Sequence, residues 1–148
     1  MSSSEAARIP IFAALSPKDR DKVLGSAIQR TYAPGATLVK EGETSMNLFF
    51  IVSGTAEVAT AEEGHRRNLG PGDFFGELGL VERHARTATV TAGTEVTVVM
   101  LSAWEFRDLL AEYPAMAVPM VYGLVGRLHG IVTHDHEHAN GDAPADAG

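Results

Sequence analysis

Two clusters near the middle of the chain carry residue types able to hold a charged, hydroxylated ligand: Gly76-Glu77-Leu78-Gly79 and, nine residues beyond Glu77, Arg86-Thr87-Ala88. A guanidinium presents a planar fork of donors suited to a phosphate. A carboxylate repels a phosphate but accepts strongly from a sugar hydroxyl, so Glu77 and Arg86 together fit a ligand that has both, a nucleotide. Phe75, Leu78 and Val81 fall on one side at helical spacing, which predicts one or two turns of helix here. The first-turn N–H groups of such a helix lack intrahelical acceptors and sit at the positive end of its dipole, where an anion satisfies both. Gly76 and Gly79 would let a ligand approach bare backbone. The plainer readings are Arg86 as a strand-end charge paired with Glu82 or Glu77, and Glu77 as a capping or surface residue; the surrounding motif outweighs them.

Other chemistry is thinly represented. The chain has no cysteine, which excludes disulfides, thiolate metal sites and a Cys nucleophile. His134, His136 and His138 alternate with Asp135 and Glu137, ligand types for a divalent cation; with no folded frame to fix their geometry, a solvated tail is the expected reading and no metal is assigned. His65 and His84 do not form the His-x-His plus Glu arrangement of a metal-dependent β-barrel enzyme, no Ser, His and Asp set reads as a triad, and Glu62-Glu63 falls in a hairpin turn. No catalytic residue is identified, and the chain is not expected to be an enzyme.

The elements that must position the two clusters follow from texture. Ser16 with Pro17 predicts an N-capped helix running to Arg30, with Val23, Leu24, Ala27 and Ile28 on one face. From Tyr32 to Leu101 come short β-type runs at Thr37–Val39, Leu48–Val52, Thr55–Thr60, Arg66–Leu69, Thr87–Thr91 and Val96–Leu101, punctuated by glycines at the spacing of an antiparallel sandwich or barrel. Phe74 and Phe75 read as core. Ser102 then caps a helix with Trp104, Phe106, Leu109 and Leu110, and Pro114 opens a second one to about Thr133. There Val121, Leu124, Val125, Leu128, Ile131 and Val132 make an apolar stripe that must bury against something, while Gly126 and Gly130 suggest a close helix approach or a weakly stable lid. The fold class is α+β: an antiparallel β-roll (double-stranded β-helix or jelly roll) with a short cassette helix, an N-terminal helix and two C-terminal helices. The expected domain spans 9–133, between a flexible N-terminus at 1–8 and a disordered acidic, His-rich tail at 134–148.

Size and charge bound the partners. A chain of 148 residues with 45% apolar and 21% charged side chains is the size and composition of one soluble domain. Its formal charge of −7 disfavours nucleic acid as a direct partner. Asp135, Glu137, Asp142 and Asp146 supply four of those charges, so the rest of the chain is nearly balanced. No secretory leader or membrane-length apolar run is present, and a cytoplasmic protein is expected.

Phe75-Gly76-Glu77-Leu78-Gly79 and Arg86-Thr87-Ala88-Thr89-Val90 resemble the phosphate-binding cassette of cyclic-nucleotide-binding domains, with the family's ten-residue step from Gly76 to Arg86. Pro34-Gly35, Glu41-Gly42, Phe50-Ile51-Val52-Ser53-Gly54 and Pro71-Gly72-Asp73 extend the resemblance over about Ile11 to Val132. The resemblance implies that Glu77 holds the ribose 2′-OH, Arg86 the cyclic phosphate, and Gly76, Leu78, Thr87 and Ala88 main-chain contacts. It implies cyclic AMP as ligand, with cyclic GMP left open because a hydroxyl at Thr87 can bond phosphate or a syn guanine, and no cofactor. Ala85 departs from the family's usual Pro before the Arg and leaves the loop less rigid. The last helix would close as a lid, pair with its twin in a homodimer, or signal to an effector protein. The chain would then be a stand-alone sensor without the helix-turn-helix of the related activators. Two alternatives remain open: an interaction or dimerisation module of the same fold with an empty pocket, and, less favoured, a metal-dependent β-barrel enzyme.

Overall fold

Side chains that alternate in and out along a strand need two partners, one for each face, and the longest strands here find both. The computed structural model describes residues 3–42, 46–59, 66–76 and 88–126. Within them lie α1 (Ser3–Ala6), α2 (Pro10–Ala13), α3 (Pro17–Leu24), β1 (Ile28–Tyr32), β2 (Thr37–Val39), β3 (Asn47–Ser53), β4 (Ala56–Ala59), β5 (Arg66–Leu69), β6 (Phe74–Phe75), β7 (Thr89–Ala92), β8 (Val96–Ser102) and α4 (Ala103–Glu112). A 3-10 turn, Pro114–Met116, follows and runs into α5 (117–126).

The strands form two antiparallel four-stranded sheets, ordered β1-β8-β3-β6 and β2-β7-β4-β5. Phe49 and Ile51 of β3 and Val96 and Val98 of β8 face the second sheet, meeting its Val39, Ala56, Leu69, Val90 and Ala92 in one core. Leu48, Phe50, Val99 and Leu101, one residue out of phase on the same strands, face the helices and pack with Ile9, Phe12, Val23, Phe106, Met116 and Met120 in a second core. The molecule is therefore helices, sheet, sheet: the antiparallel β-roll expected from the spacing of the strands. The second core centres on Phe50, whose ring centroid lies 5.1 Å from Phe12 and 5.7 Å from Phe106. Each of these rings is fully buried, contributing about 1.5–3 kcal/mol relative to exposure.

Three expectations change. The helix begun at Ser16, whose hydroxyl accepts from Asp19 N at 3.2 Å, stops at Leu24 with Gly25 as its cap rather than continuing to Arg30. Ile28 instead opens β1, and 28–32 pair residue for residue with 96–100 of β8. The strand is hard to read in sequence because it lies at an edge, four of its five residues being exposed. The expected loose N-terminus is in part helical: Ala6 and Ile9 are fully buried, and Pro10 opens α2 beneath the sheet with Ile11 and Phe12 buried.

At the other end, Ser102 and Glu105 form a reciprocal capping box that starts α4. Pro114 cannot continue the helix, and the chain turns by 114° into the next one. Among the described residues no single helix is long and apolar enough to cross a membrane. Lys22 Nζ reaches Glu112 Oε1 at 3.4 Å, tying α3 to α4 on the surface. The neighbouring Tyr113 and this hydrogen bond hold the Lys22 ammonium above the ordinary lysine range.

Candidate functional site

The Pro71-Gly72-Asp73 turn fixes the approach to the first cluster. Asp73 Oδ2 accepts from Gly70 N at 2.8 Å, while Ile51 N donates to Asp73 O and Gly72 N donates to Ile51 O, both at 2.9 Å. The turn is thus latched to β3, and β6 leaves it in register, Phe74 opposite Phe50 and Phe75 opposite Phe49. The two rings point to different layers. Phe75 stacks on Phe49, centroids 4.7 Å apart and planes within 3°, in the core between the sheets. Phe74 joins the core beneath the helices.

Gly76 follows with φ of 91°, a left-handed conformation that costs a side-chain-bearing residue strain. This is a structural reason for glycine at the start of the cassette, independent of any ligand. At the far end Ala88, half-buried, leads into β7, where Thr89 Oγ1 accepts from Glu41 N at 3.0 Å. The sequence therefore leaves one sheet at Gly76, beside β3, and re-enters the other at Ala88, between β2 and β4.

Of the six residues singled out for ligand contact, Gly76 and Ala88 are placed, at the two ends of this crossing. Glu77, Leu78, Arg86 and Thr87 lie outside the described residues, as do the expected cassette helix around Leu78 and Val81, Glu62-Glu63, and the histidines at 65, 84, 134, 136 and 138. Phe74 and Phe75 are buried, as expected of core positions.

One contact next to the cassette was not foreseen. A Cβ built on Gly123 of α5 would come within 2.8 Å of Phe74 Cε1, so the helix backbone lies directly on that ring. The close approach suggested for Gly126 and Gly130 is thus made at Gly123: Gly126 has open space around it, and Gly130 is outside the described residues. The sequence carried a signal in the alternation of the Phe pair, which sends neighbouring rings to opposite faces. The first residues of the apolar stripe on α5 are uncovered, Val121, Leu124 and Val125 being 53%, 38% and 55% exposed, and Tyr122 beside them, outside the stripe, is 71% exposed.

The relationships of the chain agree with this architecture. Residues 29–113 match the cyclic nucleotide-binding domain family. A cyclic nucleotide-gated potassium channel of Rhizobium etli is 36% identical over 111 residues, covering 75% of this chain and 31% of the channel. A cAMP-dependent protein kinase regulatory subunit of Colletotrichum orbiculare is 33% identical over 103 residues, 69% of this chain and 26% of that protein. The chain thus spans about a third or less of the curated relatives it matches. Among solved structures, the catabolite activator protein of Thermus thermophilus superposes with a TM-score of 0.69 at 27% identity, covering 81% of this chain and 58% of its own. An antiparallel roll backed by helices, with the Phe75-Gly76-Glu77-Leu78-Gly79 and Arg86-Thr87-Ala88 signatures bracketing the crossing between its sheets, is accounted for by one family: the chain is a member of the cyclic nucleotide-binding domain family.

Proposed function

We propose that the chain is a cytoplasmic cyclic nucleotide sensor, with cyclic AMP as its favoured ligand and cyclic GMP the competitor, and that it reports occupancy to an effector protein through its C-terminal helices. Arg86 takes the cyclic phosphate, Glu77 the ribose 2′-OH, and Gly76, Leu78, Thr87 and Ala88 supply backbone contacts. The observation that carries the reading is the crossing from Gly76 to Ala88: a segment whose Glu77 carboxylate and Arg86 guanidinium stand nine residues apart, joined at one end to β6 and at the other to β7, in a chain whose residues 29–113 match the family. Matches to a channel and a kinase subunit whose names state cyclic nucleotide control support the ligand class.

The output follows from the Phe pair. Phe75 lies in the core between the sheets, Phe74 lies against Gly123 of α5, and both immediately precede Gly76. Movement of the cassette on binding is therefore passed to the helix by the backbone of two residues. Occupancy shifts the helix only in so far as the ligand binds its two positions unequally. The exposed Val121, Tyr122 and Val125 are the surface offered to an effector or to a second copy of the chain. Light scattering with and without cyclic AMP is expected to show a ligand-dependent mass; a monomer in both conditions removes the homodimer from the scheme.

Calorimetry on the intact chain tests ligand choice. Cyclic AMP is expected to bind saturably below about 1 mM, and Thr87→Ala to weaken cyclic GMP by about tenfold while changing cyclic AMP less. Absence of heat with either nucleotide at about 1 mM would leave the interaction-module reading in place.

A further inference from the structure

The strand that leaves the cassette is held at its first residue from both sides. On one side Thr89 of β7 pairs with Ala59 of β4. On the other, the pairing with β2 is irregular: β2 takes two residues, Thr37 to Val39, where β7 takes one, Thr91 to Val90. A bulge of this kind bends its strand and interrupts the ladder. Beyond Val39 the tie is made by a side chain, Thr89 Oγ1 accepting from Glu41 N at 3.0 Å, just before Gly42 turns the chain with φ of 89°.

We propose that Thr89 is a positioning residue of the cassette: its hydroxyl, through the Glu41 N–H, fixes where β7 begins and so the placement of Arg86, Thr87 and Ala88 toward the cyclic phosphate. This rests on the assignment of the phosphate to Arg86. Arg86 stands three residues before Thr89, and three residues of chain span at most about 11 Å, so a displaced anchor displaces the guanidinium. Affinity gains when such a group is held in place beforehand, because the entropy of ordering it is then not lost on binding. The bond lies at the surface, Glu41 exposed and Thr89 half-buried, where water can replace a lost acceptor. Its removal is therefore felt in nucleotide affinity rather than in folding.

Thr89→Val keeps the branched shape and removes the acceptor, whereas Thr89→Ser keeps the acceptor. Thr89 borders an open groove of about 410 Å³, so the methyl that replaces the hydroxyl has room. Calorimetric titration of cyclic AMP into the intact chain is expected to show about fivefold weaker binding for Thr89→Val and affinity within about twofold of wild type for Thr89→Ser. Melting temperatures of all three are expected to agree within about 2 °C. Placed on Arg86→Lys, which keeps the charge but not the planar fork of donors, Thr89→Val is expected to change affinity by less than about twofold, because the two act through one contact. Equal binding by wild type and Thr89→Val overturns the proposal and leaves the sensor reading standing. Equal weakening by valine and serine overturns it too, as does a lowered melting temperature for Thr89→Val or an undiminished loss on Arg86→Lys, each of which assigns the effect to the sheet. Absence of heat with the wild-type chain at about 1 mM removes the phosphate site itself, and this proposal with it.

Discussion

Phe74 and Phe75 are adjacent and chemically identical, and the pleat of a two-residue strand sends one to the helices and the other between the sheets. Their neighbours make the difference matter. Phe74 is 4% exposed, its ring lies 6.2 Å from Phe50, and it has no room to yield to a methyl group on Gly123. Gly123→Ala is therefore expected to lower stability. The overlap costs about 1–3 kcal/mol and outweighs the roughly 1 kcal/mol that alanine gains over glycine in a helix. Thermal denaturation reads the balance, and a raised melting temperature would contradict the contact. That Phe74 and Phe75 are core was legible from their type; which core each enters was not, because it depends on the register with Phe49 and Phe50 across the sheet. Gly76 was legible as a site residue on chemical grounds, and its φ of 91° adds a backbone reason that spacing alone does not reveal.

Elements with their own punctuation were readable and those stabilised by pairing were not. The strand at 66–69 was located to the residue, and the start of α4 by its serine, because turn and cap signals are local. Ser102 both accepts from Glu105 N and, through its own N–H, donates to Glu105 Oε1, at 3.1 and 3.2 Å. Ser102→Ala removes one of the two bonds at a partly buried helix start, and a loss of about 1 kcal/mol is expected in denaturant unfolding; an unchanged midpoint would show that the cap is dispensable. By contrast β1 was absorbed into the preceding helix, since Ile28 and its neighbours carry no alternation and owe their extended form to β8. The two-residue β6 is too short for any period to register. It is a strand because β3 lies beside it.

At the scale of the whole molecule, the same sheet has two faces and two tasks: one closes a core against the second sheet, the other carries helices that touch the cassette's lead-in through Phe74. Fold and family were legible in the sequence because glycine, proline and strand spacing repeat the pattern of the roll. The placement of α5 over Phe74 was not, since it depends on a contact between residues 49 positions apart. The account stands or falls on Arg86, the guanidinium assigned to the cyclic phosphate. A hydrogen bond to a charged group contributes about 1.5–3 kcal/mol, and loss of a bidentate one at least that much, so removing Arg86 is expected to weaken cyclic AMP by at least about tenfold. Calorimetric titration of cyclic AMP into the wild-type chain and into Arg86→Ala measures it directly: saturable binding to the first and its loss in the second are predicted, whereas equal affinities would contradict the assignment of the cassette.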